Sequence, residues 1–224
     1  MKRLIVTFAC AALHIAAQQP AKAEDNFAIV RSLVEDDRAL YRSLQKEWPS
    51  VERRLARQTA DYRAAERSVQ TCNRKLWRGM FKDALEQLEK TRKELEDSRK
   101  TLEIMHDDAK TVLDTQNRQL IVLEAAYKNK PREEDYWSKQ VTIVGTVKRE
   151  YYNIVKNKVM VGYTKYGEGI SKLSNSYREA AASCNNPTRA ILQGVASEIL
   201  RRVDPIKLIS GQILDLIPPK YKSS

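Results

Sequence analysis

His106 stands in "MHDD" (105–108), where an imidazole beside two carboxylates raises a metal site or an acid–base pair as the first chemistry to consider. Adjacent residues on a helix point in different directions, so His106, Asp107 and Asp108 make a poor ligand set. The acids Glu133 and Glu134 also lie together, but at a helix start with no cleft to raise one pKa. A nucleophilic Ser or Cys needs a base and an orienting group, and His106 is the only histidine after residue 23. "GYTKYGEG" (162–169) contains glycines without the spacing of a phosphate-binding loop. These residues point away from turnover, and the expectation is a non-enzymatic chain with neither cofactor nor metal.

Binding is the chemistry that the side chains do offer. Lys148, Arg149, Lys156, Lys158 and Lys165 alternate with Tyr151, Tyr152, Tyr163 and Tyr166, a pattern suited to an anionic partner surface. The competing reading makes those tyrosines buried anchors between helices. Near the C-terminus, Ile199, Val203, Ile206, Ile209 and Ile213 form an apolar row beside Arg201, Arg202 and Lys207. That row fits either a membrane-surface or partner-binding helix or one that covers the end of a bundle. The formal charge of +11 favours anionic partners: lipid head groups, acidic polymers or acidic proteins, with no specific nucleic-acid signal.

Two cysteines can do covalent work. Cys72 and Cys184 have residue 128 as their midpoint, inside "YKNKPREEDY" (127–136). Asn129 and Pro131 there read as a helix stop, and Glu133, Glu134 and Asp135 as the acidic first turn of a new helix. If two helices run antiparallel from this turn, residues equidistant from it meet. The expectation is therefore an intramolecular Cys72–Cys184 disulfide, made in an oxidising compartment.

The N-terminus agrees with that compartment. "MKR" supplies a positive start, "LIVTFACAALHIAA" an apolar stretch and "AKA" at 21–23 a cleavage site, so residues 1–23 read as a signal peptide. Its removal takes away Cys10 and three positive charges. The expected location is secreted, in a bacterial periplasm or outside the cell. No later apolar run is long enough to span a membrane.

The elements that position these groups read as helices. Glycine and proline number seven each and charged residues make up 31 %, a composition of long helices rather than of a sandwich or barrel. The predicted helices cover about 25–48, 51–128, 133–183 and 187–217, in a single domain over 24–217, with a disordered tail at 218–224. Pro49 is expected to separate the first two, with a slip of heptad phase near Gly79. "VTIVGTV" and "KVMVGYTKYGEG" are β-branched enough to pass for strands, but apolar gaps of three and four persist from Val144 to Tyr177 and favour a helix. Asn186 and Pro187 mark the start of the last helix, which is expected to bend at Pro205.

The resulting expectation is an all-α protein. Its centre is an elongated antiparallel hairpin or coiled coil, with N- and C-terminal helices packed at a disulfide-closed base. Its expected role is binding or scaffolding toward a protein or anionic partner, as a monomer or a homo-oligomer. An envelope holdase-type chaperone or secretion-apparatus component is the second reading, and peripheral membrane binding through the C-terminal helix the third.

Overall fold

In α1 (Ala23–Gln70) the inward row Phe27, Val30, Val34, Asp37, Tyr41, Leu44, Trp48, Val51, Leu55, Gln58, Tyr62, Ala65 and Val69 never departs from alternating gaps of three and four. That register crosses Pro49 unbroken, and the helix crosses it too. The break expected there is absent because Pro49 lies on the exposed side, where the carbonyl it leaves without a donor faces water. Arg53 Nε adds a bond to the Pro49 carbonyl at 3.0 Å. The computed structural model describes residues 23–129 and 134–218. Apart from Ala23, the expected signal peptide lies outside the described residues, as do residues 130–133 of the expected turn and the expected tail from 219.

The chain reverses instead at 71–74. There the register of α1 ends, and a new one begins at Trp77 in α2 (Lys75–Asn129). What reads in sequence as a phase slip near Gly79 is the mark of this reversal. Neither glycine nor proline occupies the turn. Arg78 stabilises it from the far side, donating from Nε to the Cys72 carbonyl at 2.6 Å and from Nη2 to the Gln70 carbonyl at 3.2 Å. Those carbonyls belong to the last turn of α1 and its exit, where no helical N–H is available.

After 130–133 the chain returns through α3 (Glu134–Tyr152), a π-helical segment (Asn153–Met160) and α4 (Val161–Asn185). Among the described residues there is no strand, so the β-branched stretches are helical, as their spacing implies. Buried positions explain the π segment. Tyr151, Val155, Val159 and Tyr163 are separated by three successive gaps of four, wider than the alternation on either side. A widened helix keeps all four on the core. Opposite it, α2 carries its own pair of gaps of four at Met105, Ala109 and Leu113.

α1 and the α3–α4 rod run parallel, and α2 runs antiparallel to both. At one end Phe27, Tyr127 and Trp137 cluster, with Phe27 and Tyr127 stacked at 4.2 Å. At the other, a Cys72–Cys184 disulfide joins the α1–α2 turn to the end of α4, with Cα atoms 6.1 Å apart across 112 residues of sequence. Trp77 is buried at the same end and donates to Ser183 Oγ at 2.6 Å.

The last expected helix is two. Asn186 caps α5 (Pro187–Leu192) by accepting from the Arg189 N–H at 3.2 Å, with Pro187 at the first turn. Gly194 then takes φ of 61°, a left-handed conformation that separates α5 from α6 (Val195–Leu216). α6 contains Pro205 and packs antiparallel to α4, in the seam between α2 and α4. Ser98 and Ser210 meet there at 3.4 Å, and Lys207 donates to Gln87 at 2.9 Å. The molecule thus has four helices side by side near the disulfide and three toward the apex. No described helix is long and apolar enough to cross a membrane.

Candidate functional site

The two surfaces singled out from sequence are dispersed or covered. Lys148 pairs with Asp36 on α1, Arg149 bonds Thr146 beside it, and Lys165 donates to Gln212 on α6 at 2.7 Å. Lys156 is exposed and Lys158 half-buried on the π segment between them. The basic residues therefore turn toward different neighbours. Tyr151, Tyr163 and Tyr166 are buried, so they act as core anchors; Tyr152 remains exposed. On α6, Ile199, Val203, Ile206, Ile209 and Ile213 are all buried. Arg201 and Arg202 face outward and hold Glu198 at 2.6 and 3.0 Å, which keeps its carboxyl below the ordinary range.

The surface feature that sequence reasoning misses is the seam between α1 and α2. α1 directs its core row toward α3 and α4 as well as α2, and the α1–α2 seam is bridged at points, by Arg31 to Glu124 and Arg38 to Asn117 among others, with depressions between them. Three depressions lie on it. One of about 570 Å³ sits by Phe27 and Tyr127, one of about 420 Å³ by Trp77 and Tyr177, and the largest, about 580 Å³, between them. The salt-bridged trio Arg92, Glu66 and Glu89 stands between the latter two, with Arg92 to Glu89 at 2.6 Å and to Glu66 at 3.9 Å.

The central groove is built from small residues with arginines around them. Ala56, Thr59 and Ala60 on α1 leave the space, Arg63 and Arg67 flank it, and Arg99 and Glu103 line it from α2. Trp48 closes one end, donating to Glu52 at 2.7 Å, stacking on His106 at 4.4 Å and meeting Tyr163 edge-on at 4.6 Å. His106 is therefore an aromatic packing partner, a role hidden in "MHDD" because its contact is 58 residues away.

The floor of the groove carries unused polar capacity. Tyr163 is 3 % exposed, and its hydroxyl has no hydrogen-bond partner. Burial, with Glu103 alongside, pushes this phenol above its ordinary pKa. The hydroxyl is enclosed beneath the groove, and Glu103, Arg99 and Glu52 of the groove are among the charges that act on it. Arg99 bonds Glu103 at 3.2 Å through Nη2 and also lies against the buried Tyr166 hydroxyl. A buried hydroxyl without a partner costs about 1–3 kcal/mol, and the donors an oxyanion meets at the groove are the exposed Arg63 and Arg67 on its margin.

A second polar cluster sits in the three-helix half. Asp37 is 1 % exposed and accepts from Gln116 Nε2 at 2.9 Å, while Gln116 Oε1 and the Tyr151 hydroxyl lack partners. Burial pushes the Asp37 carboxyl up to about 6, against smaller opposing effects of Gln116 and Lys148. Because the folded-state pKa is the higher one, its contribution is present below about pH 4 and is lost as pH rises through 6. We expect Asp37→Asn to raise the unfolding free energy at pH 8 by about 2 kcal/mol, read from urea titrations, and to change it little at pH 4. Equal effects at both pH values would show that Asp37 does not titrate in this range.

Among the described residues no group of three or more His, Cys, Asp or Glu side chains could hold a metal ion. No family model matches the chain, and neither a curated protein nor a solved structure matches it.

Proposed function

We propose that this chain is an exported, non-enzymatic binding module, a rigid coiled-coil hairpin arm closed by its disulfide, that receives an anionic partner in the α1–α2 groove. The observation that carries this reading is the groove itself, with Arg63 and Arg67 exposed on its margin beside the small residues Ala56 and Ala60. Export is supported by the signal-like residues 1–23 and by a disulfide suited to an oxidising compartment. The rod supplies reach. At about 1.5 Å per residue, the 55 residues of α2 extend about 80 Å.

The groove takes precedence over the two earlier candidate surfaces for physical reasons. The lysines of α3 and α4 are in part neutralised by Asp36 or engaged by Gln212, and the apolar row of α6 is spent on the core. Arg63 and Arg67 are exposed on one face of α1, four residues apart, where both can meet one partner.

The test is binding of fluorescent poly-glutamate to the full chain as salt is varied. Affinity should fall steeply with salt. Arg63→Glu with Arg67→Glu should weaken it at least about tenfold at low salt while leaving stability within about 0.5 kcal/mol of the parent. Binding indifferent to this double charge reversal would overturn the groove as the anion site.

A further inference from the structure

We propose that the occupant of the groove is an acidic α-helix of a partner protein, laid along the α1–α2 seam with small residues against Ala56 and Ala60. This rests on the reading that the groove takes an anionic partner and adds the partner's shape.

The groove is straight because its walls are two helices. Its α1 wall extends from Trp48 to Arg67, about 30 Å at helical rise, the length of a helix of about 20 residues. Ala56 and Ala60 are exposed on its side, one turn apart, and let a helical backbone approach closely. The fold already holds one helix in this manner. α6 fills the seam on the other side of α2 with a buried apolar row, a central Ser98–Ser210 contact and charged or amide groups at the margins. The α1–α2 groove differs in its charge: Glu103 is paired by Arg99 and Glu52 accepts from Trp48, which leaves Arg63 and Arg67 exposed on the margin, so the complementary helix carries Asp or Glu four residues apart. An extended polyanion would neutralise the arginines equally well but would leave the space above Ala56 and Ala60 unfilled.

The experiment uses the full oxidised chain and three labelled probes read by fluorescence anisotropy. The first is an end-capped, Ala-rich helical peptide of about 21 residues with Glu at every fourth position. The second has the same sequence with two central residues changed to proline, which breaks the helix. The third is polyphosphate. We expect the helical peptide to bind at least about tenfold more tightly than its proline version, since the disordered form must be ordered on binding. Ala60→Trp, a change at an exposed position, should abolish that difference while leaving polyphosphate affinity within about twofold. Equal affinity for the two peptides, or indifference to Ala60→Trp, overturns the helical partner. In either case, polyphosphate binding that still depends on Arg63 and Arg67 leaves the anionic groove standing. Failure of all three probes to bind overturns both readings.

Discussion

A chain carrying Cys72→Ser together with Cys184→Ser unfolds at a much lower urea concentration than the parent, with a loss of about 4 kcal/mol. The bond closes a segment of 112 residues that contains all of α2, α3 and the π segment. In the chain-entropy description, freeing a loop of that length returns to the unfolded chain a freedom worth nearly 5 kcal/mol, an upper guide because unfolded chains retain structure. Cys72 is 4 % exposed and Cys184 packs against the same core, so the substitutions also place two hydroxyls in an apolar setting. Reduction of the parent separates these effects: the reductant should reproduce most of the loss, and it should not affect the double variant. Equal midpoints for oxidised and reduced parent would mean that the bond contributes nothing to the fold.

The second large effect reverses an ordinary sign. Gly→Ala within a helix normally stabilises by about 0.5–1 kcal/mol. At Gly162 it should destabilise by about 1–3 kcal/mol instead. A methyl group there would lie 2.4 Å from Leu102 Cδ2 and 3.3 Å from its Cγ. Turning the outer bond of Leu102 relieves the first contact but not the second, and the side chain is fully buried with no space to enter. Gly169 faces Leu95 seven residues further along in the same way, at 2.8 Å, so α2 and α4 touch through two glycines on one face. Gly211 on α6 has open space within 4 Å and serves as the control, where alanine should be neutral or stabilising. Leu102→Ala should cost less in the Gly162→Ala background than in the parent. Additive costs would show that the two side chains do not compete for one space.

Much of the helical plan can be read from the residues, and its failures have specific causes. The midpoint of Cys72 and Cys184 locates the apex because two helices of equal rise leave it together; α2 ends at Asn129 and α3 begins at Glu134. The chain reversal at 71–74 is hidden because it uses Thr71, Cys72, Asn73 and Arg74, with a single turn-favouring residue and neither glycine nor proline, and because Arg78 satisfies the exit from outside. Pro49 draws attention as a breaker, but the register on both sides of it is the stronger evidence. Where a proline sits on the wet face, the apolar rows decide. Similarly, Gly194 ends α5 in a left-handed turn while Ile191 and Val195 keep helical spacing across it.

The groove was less legible for a different reason. Periodicity identifies residues that face inward, yet it does not tell which neighbours they face. Ala56, Ala60, Arg63 and Arg67 read as an ordinary solvated helix face, and become a wall only when α2 is known to stand beside them. The tyrosines of α4 show the converse. Interleaved with lysines they read as a binding stripe, whereas packing across three helices turns Tyr163 and Tyr166 inward. A partial signal did exist in the run of small residues and arginines over 53–67, "RRLARQTADYRAAER".

Hydrogen exchange read by mass spectrometry, on the full chain with and without saturating poly-glutamate, tests the central claim most directly. Protection should appear in peptides covering 52–67 of α1 and 96–103 of α2 and nowhere else to a comparable degree. Protection centred on 148–165 or on α6, or none despite measurable binding, would contradict the groove as the site where this protein meets its partner.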